Sequence, residues 1–136
     1  MDWKLEQIVV PVADVDRAKA FYGDQLGFHV DVDHRAGEDF RVVQLSPPGS
    51  ACSIALMRNE AAAGSLQGLH LVVRDLDEAQ SRLRDGGVEC SGLFHFEAGV
   101  QAGGPGPGRG DYESFLSFSD PDGNGWLVQE VPSRPS

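Results

Sequence analysis

Part of this chain is written twice, and that constrains its fold more than any other feature. Shifted by 61 residues, Val12-Ala13-Asp14-Val15-Asp16-Arg17-Ala18 falls on Val73-Arg74-Asp75-Leu76-Asp77-Glu78-Ala79, matching the Val, both Asp and the Ala. Copies of one plan fold as copies of one structural unit. In each copy an apolar or alternating run precedes the first Asp, Leu5 to Val12 and Leu69 to Val73, and such runs read as strands. Each Asp stands where a helix begins, its carboxylate placed to accept from an orphan backbone N–H, and Asp75 with Glu78 makes a capping-box-like pair. Helical spacing follows on one face, through Ala18, Phe21, Tyr22 and Leu26 in the first copy and Leu76, Ala79 and Leu83 in the second. Gly27 and Gly87 supply the stops.

Each helix is followed by short strand candidates: Phe28 to Asp33, Phe40 to Leu45 and Ser53 to Arg58, then Val88 to Phe96, Ser114 to Ser119 and Trp126 to Val131. Pro47-Pro48-Gly49 and Asp120-Pro121-Asp122-Gly123 are turns between them. The stretch Ala98 to Gly110, with six glycines and two prolines, is expected to break regular structure. A strand-helix-strand-strand-strand half leaves one sheet face open, so neither half closes a core alone. The expected fold is therefore α+β: two βαβββ modules, about 4–58 and 67–131 with connector 59–67, in a single domain over 1–136. They would form a curved mixed eight-stranded sheet around a cup, with helices outside.

With 136 residues, 40% apolar and 24% charged, the chain has the balance of a globular protein. The net charge of −10, with no cluster of Lys and Arg, argues against nucleic acid and anionic membrane as partners. No apolar run is long enough to cross a bilayer, and Met1-Asp2-Trp3-Lys4 does not open a signal sequence, so a cytoplasmic location is the expectation. Cys52 and Cys90 lack C-x-x-C spacing and read as small buried residues rather than a redox pair or zinc knuckle.

The stretches "IVVPVADVDRAKAFYGDQLGF", "LHLVVRDLDEAQSRLRDGGVE" and "FSDPDGNGWLVQE" resemble the vicinal oxygen chelate superfamily, which contains glyoxalase I, extradiol dioxygenases and bleomycin or fosfomycin resistance proteins. The resemblance runs from Leu5 to Val131 and implies the paired-module fold. One scaffold here carries isomerases, dioxygenases, epimerases, transferases and non-catalytic drug binders, so activity has to be read from the site. In metal-using relatives His, Gln or Glu side chains hold the ion, and the resemblance carries those positions to Gln7, Ala55, Gly68 and Leu127. Of these only Gln7 has a donor side chain, whereas a protein-bound divalent ion needs about three or four protein ligands. No metal or other cofactor is therefore expected, with a divalent metal as the alternative. A slip of one residue in the last strand would exchange Leu127 and Gln129 for Trp126, Val128 and Glu130. The unslipped register is preferred, since Trp126 and Val128 suit a helix-packed face and Glu130 can sit solvated at the strand end.

Gln7, His70 and Gln129 are polar residues on strands that otherwise read as core, and the carried-over register turns all three inward. They can bond one another and trapped water, bond a ligand's carbonyl or hydroxyl, or, for His70, belong to a displaced metal site. His95, before the Gly/Pro-rich stretch, is the other candidate acid–base group, with Glu97, Tyr112 or Glu113 as partners, while His29 and His34 read as surface residues. The glycine-rich segment reads as a lid or a plain loop rather than a phosphate cradle, and Arg109 would reach an anionic ligand if it closed. Asp120-Pro121-Asp122-Gly123-Asn124-Gly125 begins like a calcium loop, but Val131 stands where the last ligand, Glu, is required.

The leading expectation is a metal-free binder of a small, partly apolar molecule in a cup lined by Gln7, Val9, Ala55, Met57, His70, Leu127 and Gln129. Sequestration of a toxic compound, as in the bleomycin-resistance branch, is one form of it. The alternative is an enzyme, a lyase, isomerase or dioxygenase, using a non-standard metal site or His70 or His95 as acid–base. A purely structural dimer module with a filled cup is the third. Relatives often pair two chains, which makes a homodimer plausible.

Overall fold

A computed structural model describes residues 1–135, and the chain divides into two compact units. The first comprises Met1–Leu66 together with Asp120–Asn124. Strand β1 (Gln7–Val12) leads to Asp14, whose carboxylate accepts the Arg17 N–H at 3.1 Å and so caps α1 (Val15–Ala20). The helix widens into a π-helical segment, Phe21–Gln25, where the Leu26 N–H reaches back five residues to the Phe21 carbonyl at 3.0 Å. Gly27 ends it at φ 77°, a left-handed conformation that glycine adopts without steric cost. Strands β2 (His29–Ala36), β3 (Phe40–Ser46) and β4 (Ser53–Arg58) complete a sheet of order β1-β4-β3-β2, with β1 and β4 parallel and the other pairs antiparallel.

One face of this sheet carries Val10, Val12, Val43, Leu45 and Leu56, all fully buried; α1 lies against β3 and β4 with Ala18 buried, and the π-helical segment that continues it buries Phe21 and Tyr22. Burying each such Val or Leu stabilises by about 1.5–3 kcal/mol. The turn at Asp120–Asn124 is more than the hairpin expected from sequence. Asp120 Oδ1 accepts the N–H groups of Asp122, Gly123 and Asn124, and its Oδ2 accepts Tyr22 Oη–H and Asn124 Nδ2–H, both at 2.8 Å. Asn124 also donates to the Pro11 carbonyl and accepts the Leu66 N–H, so the turn is part of the first unit's buried structure. The edge strand β2 is charged: Asp33 bonds Lys19 and Arg41, which hold its carboxyl well below the usual carboxylate range. Such an edge resists pairing with a foreign strand.

The second unit, Gln67–Ser119 with Gly125–Ser136, holds β5 (Leu69–Val73), α2 (Leu76–Asp85), β6 (Phe94–Glu97), β7 (Val100–Gly103), β8 (Phe115–Ser119) and β9 (Gly125–Glu130). The sheet order is β5-β9-β8-β6-β7, with β5 and β9 parallel. Asp75 caps α2 by accepting the N–H groups of Asp77 and Glu78, but the capping box stays half formed because Glu78 pairs with Arg82. Leu76 and Leu83 pack on the face that buries Leu116, Phe118, Trp126 and Val128, with Phe118 and Trp126 stacked across strands at 5.9 Å.

The α+β fold expected from sequence is what the structure shows, but the described residues form nine strands, in sheets of four and five, where eight in one sheet were expected. The additional strand is β7, which lies within the stretch expected to be irregular. Ala98 (φ 50°) and Gly99 (φ 81°) both take positive φ, as a two-residue type I′ turn requires, and so fold β7 back on β6. The strand expected over Val88 to Phe96 is also shorter. Cys90 makes one bridge to Phe118, then Ser91 Oγ takes the Ser117 N–H, and regular pairing resumes at Phe94.

Candidate ligand-binding site

Alternation along the strands leaves each sheet one face turned away from its helix. In the first unit that face carries Gln7 and Val9, both exposed, with Ala55 buried and Met57 half-buried. Register joins them: Gln7 pairs with Ser53, Val9 with Ala55, and Ala55 with Gln44. At one end Ser46 Oγ donates to Asp31 Oδ2 at 2.5 Å, so Ser53 Oγ is the donor in its 2.6 Å bond to Ser46.

In the second unit the corresponding face carries His70 and Val72, Leu127 and Gln129, then Ser117 and Phe115, then Phe94 and Phe96. His70 is the cross-strand partner of Leu127, and its Nε2 lies 2.9 Å from Gln129 Oε1. Gln129 Nε2 in turn donates to the Tyr112 carbonyl at 3.1 Å. Phe94 and Phe115 stack at 5.7 Å, and Phe96 meets the pair edge-on at 5.9 and 5.4 Å. Phe96 is half exposed. A cleft of about 680 Å³ adjoins this face through Ser117 and Leu127, with Gln67, Cys90 and Trp126 also on its wall. That volume lies within the range of small-molecule sites.

Trp126, Val128 and Glu130 point to the helix side, with 4%, 3% and 3% of their surface exposed, so Leu127 and Gln129 occupy the open face. Contrary to the expectation from sequence, Glu130 is buried. It is not solvated at the strand end: it accepts the Leu76 N–H at 2.8 Å and is gripped by Arg109 through Nε at 3.0 Å and Nη2 at 3.2 Å. Arg109 also bonds Asp77 at 2.9 Å. Its guanidinium could reach a ligand only by leaving a buried carboxylate unpaired, so the structure gives Arg109 a different task from the one expected. It ties the glycine-rich segment to the helix side of the unit.

His95 lies on the opposite face of β6 from Phe94 and Phe96. Its Nδ1 is 2.8 Å from the Gly104 carbonyl and its Nε2 is 2.8 Å from Glu97 Oε1. Both partners are acceptors, so both ring nitrogens donate. The Glu97 carboxylate first, then the Gly104 carbonyl, raise the ring's pKa. His95 thus bridges Glu97 and the Gly104 carbonyl across the β6–β7 hairpin. His29 and His34 are exposed on β2. The Phe94–Phe96–Phe115 cluster and the Arg109–Glu130 pair were not foreseen. For the cluster, the signal was the i, i+2 spacing of Phe94 and Phe96.

A family model described as the Glyoxalase/Bleomycin resistance protein/Dioxygenase superfamily matches residues 4–128. The chain belongs to that superfamily. It is 29% identical to TnmS3, an antibiotic binding protein from Streptomyces sp. CB03234, whose crystal structure it matches at TM-score 0.74 over 96% of this chain and 97% of that one. A glyoxalase/bleomycin resistance protein from the same strain is 30% identical, with TM-score 0.68 over 93% of this chain and all of that one. YetH of Bacillus subtilis, an uncharacterised protein, is 25% identical over 126 residues, 90% of this chain and 94% of its own.

The donor set for the metal that some superfamily members use does not fit. Gln7 brings one neutral amide oxygen, and Ala55, Gly68 and Leu127 bring no donor side chain. Among the described residues no three His, Cys, Asp or Glu side chains are gathered so as to hold an ion, and no helix is long and apolar enough to cross a membrane.

Proposed function

We propose that this superfamily member binds a small, partly apolar organic molecule without a metal, sequestering it rather than converting it. The observation that carries the reading is the open face of the second sheet, where His70 and Gln129 sit among Val72, Leu127 and Phe115 and where Leu127 continues into the wall of the 680 Å³ cleft. An apolar wall with a few placed polar groups is the usual composition of a small-molecule site. The likeness to TnmS3, an antibiotic binding protein, supports it. Gln7, Val9, Ala55 and Met57 are the first unit's candidate contacts on the same reasoning. The two unpaired thiols, Cys52 and Cys90, suit a reducing cytoplasm, and a homodimer is the proposed assembly.

Thermal-shift screening of a library of aromatic and aliphatic small molecules tests the reading. A ligand at a hundredfold excess over its Kd adds about 2.7 kcal/mol, which raises Tm by roughly ten degrees for a domain of this size. A library in which nothing stabilises the protein would overturn binding. Stoichiometric Ni, Fe, Zn or Mn in protein purified without chelator, lost in His70→Ala, would replace it with the enzyme reading.

A further inference from the structure

The outer edge of the second sheet is left open by its own fold. The Gly104 N–H donates to the Leu93 carbonyl at 2.8 Å, and from there the β6–β7 ladder runs in register to Glu97 opposite Val100. Hydrogen-bonded and non-hydrogen-bonded pairs alternate along an antiparallel ladder, so Val100, Ala102 and Gly104 turn their backbone groups toward β6. Gln101 and Gly103 turn theirs outward, and β7 is the last strand of the sheet.

The chain protects a comparable edge elsewhere but not this one. Strand β2 carries Asp31, Asp33, His34 and Arg35 and a register shift between Val30 and Val32, features that deter pairing with another strand. Strand β7 is Val-Gln-Ala-Gly, with no charged residue, and Val100 is largely exposed. The charged residues of the hairpin, His95 and Glu97, pair with each other at 2.8 Å. The edge is therefore locally neutral in a chain whose net charge is −10.

Gly103 points the same way. A glycine weakens a strand, and where one stands it marks a bulge, a bend or the close approach of another backbone. The ladder has no bulge at Gly103, its φ is not positive, and a side chain there would meet nothing within 4 Å. An aromatic residue opposite can compensate an edge glycine by covering it, but Phe94, which holds that place, stacks on Phe115 at 5.7 Å. Among the described residues nothing calls for glycine at this position.

We propose that β7 pairs antiparallel with β7 of a second copy, about a twofold axis through Ala102. In that register Gln101 of each copy stands opposite Gly103 of the other, and the outward N–H and carbonyl groups of the two are exchanged. Ala102 stands opposite Ala102, where the small side chains suit the closer of the two strand spacings. Gly103 leaves space for the opposing Gln101 side chain on the face that carries Phe94 and Phe96. An edge that pairs with itself closes after two copies, and the turn at Ala98 and Gly99 and the proline at 105 bound the contact at its ends. The inference rests on the homodimer proposed above and names its interface.

Sedimentation velocity over a concentration series of the full chain, reaching about millimolar, gives the dimer fraction, and NMR hydrogen exchange locates the contact. The Gln101 and Gly103 amides exchange about tenfold more slowly once roughly nine in ten chains are paired, whereas the Ala102 amide, already bonded to β6, does not change with concentration. In a Cys52→Ser/Cys90→Ser background under mild oxidation, Ala102→Cys forms a disulfide dimer at least about tenfold faster than Val100→Cys. Facing residues at 102 have Cα atoms about 4.5 Å apart, within disulfide reach, whereas Val100 stands opposite Gly104. Gln101→Pro removes an outward donor and no β6–β7 bond, so the dimer fraction falls while the far-UV spectrum is kept; exchange and crosslinking decide the matter even where the proline disturbs the hairpin. A dimer in which the Gln101 and Gly103 amides gain no protection, or equal crosslinking of the two cysteine variants, overturns this interface and leaves the homodimer standing. A chain that stays monomeric through the series defeats both.

Discussion

Removing the Asp120 carboxylate should destabilise the protein more than any other single polar truncation in the first unit. Five hydrogen bonds end on that carboxylate, three from backbone N–H groups of its own turn and two from Tyr22 and Asn124. Tyr22 and Asn124 are both fully buried, so in Asp120→Ala the Tyr22 hydroxyl loses its acceptor where water does not reach. A stranded buried donor costs about 1–3 kcal/mol. The Asn124 side-chain amide keeps the Pro11 carbonyl, and the turn N–H groups of Asp122 and Gly123 are only partly buried, so their share is smaller, while the Asn124 N–H is buried. Release of the buried carboxylate's own desolvation offsets part of the sum. The net expectation is about 3 kcal/mol, a large fraction of the roughly 5–15 kcal/mol that holds a domain folded. Tyr22→Phe removes one of the five bonds and leaves no orphan donor, so it should cost about 1.5 kcal/mol. Urea unfolding measures both as shifts in midpoint at constant slope. In the double variant the two losses should fall short of additive, because Asp120→Ala has already removed the hydroxyl's partner. A loss below about 1 kcal/mol for Asp120→Ala, or strict additivity, would refute this account of the turn.

Two further outcomes follow from the second unit. Arg109→Ala leaves Glu130 buried with the Leu76 N–H as its remaining side-chain contact; screened by the partial exposure of the guanidinium, the cost is about 1–3 kcal/mol. Faster proteolysis between Gly104 and Asp111 should accompany it, and partial recovery in Arg109→Ala/Glu130→Gln; unchanged stability and cleavage would contradict the tie. His95 has its pKa raised by Glu97 and the Gly104 carbonyl, so its contribution is full below the ordinary value near 6.5 and fades as pH climbs through the raised one. Stability should therefore decline as pH rises above about 6.5 in the native chain and less so in His95→Gln, and parallel pH profiles for the two would count against the clamp.

The repeat made the first half of each unit legible, since a strand, an Asp cap, a helix and a glycine stop are all local. Asp14, Asp75, Gly27 and Gly87 do what their positions implied. What stayed hidden was set by partners distant in sequence or by backbone angles. Nothing in the composition of Ala98 to Gly110 distinguishes a broken loop from a β7 that closes on a type I′ turn; the positive φ of Ala98, a residue that seldom adopts it, decides the matter. The Asp120 turn reads as punctuation in the sequence because its partner Tyr22 lies 98 residues earlier.

Gln129 and Glu130 show how far period-two reasoning carries a site. The apolar alternation of Trp126 and Val128 assigns the two neighbours to opposite faces, and the structure keeps that assignment. It does not assign their roles. Glu130 reads as a solvated strand end until Arg109, 21 residues away, and the start of α2 converge on it. Gln129 reads as an amide with two interchangeable ends until the Tyr112 carbonyl fixes one end as donor and so turns the amide oxygen toward His70. The more acidic of the two neighbours is thus bound into the fold, and the neutral one sets the chemistry of the open face. A slip of one residue would exchange them, placing a carboxylate beside His70 and an unpaired amide under α2. The pairing of Arg109 with the buried Glu130 carboxylate therefore does more than stabilise: it favours the register of β9 that leaves Gln129 on the open face of the sheet.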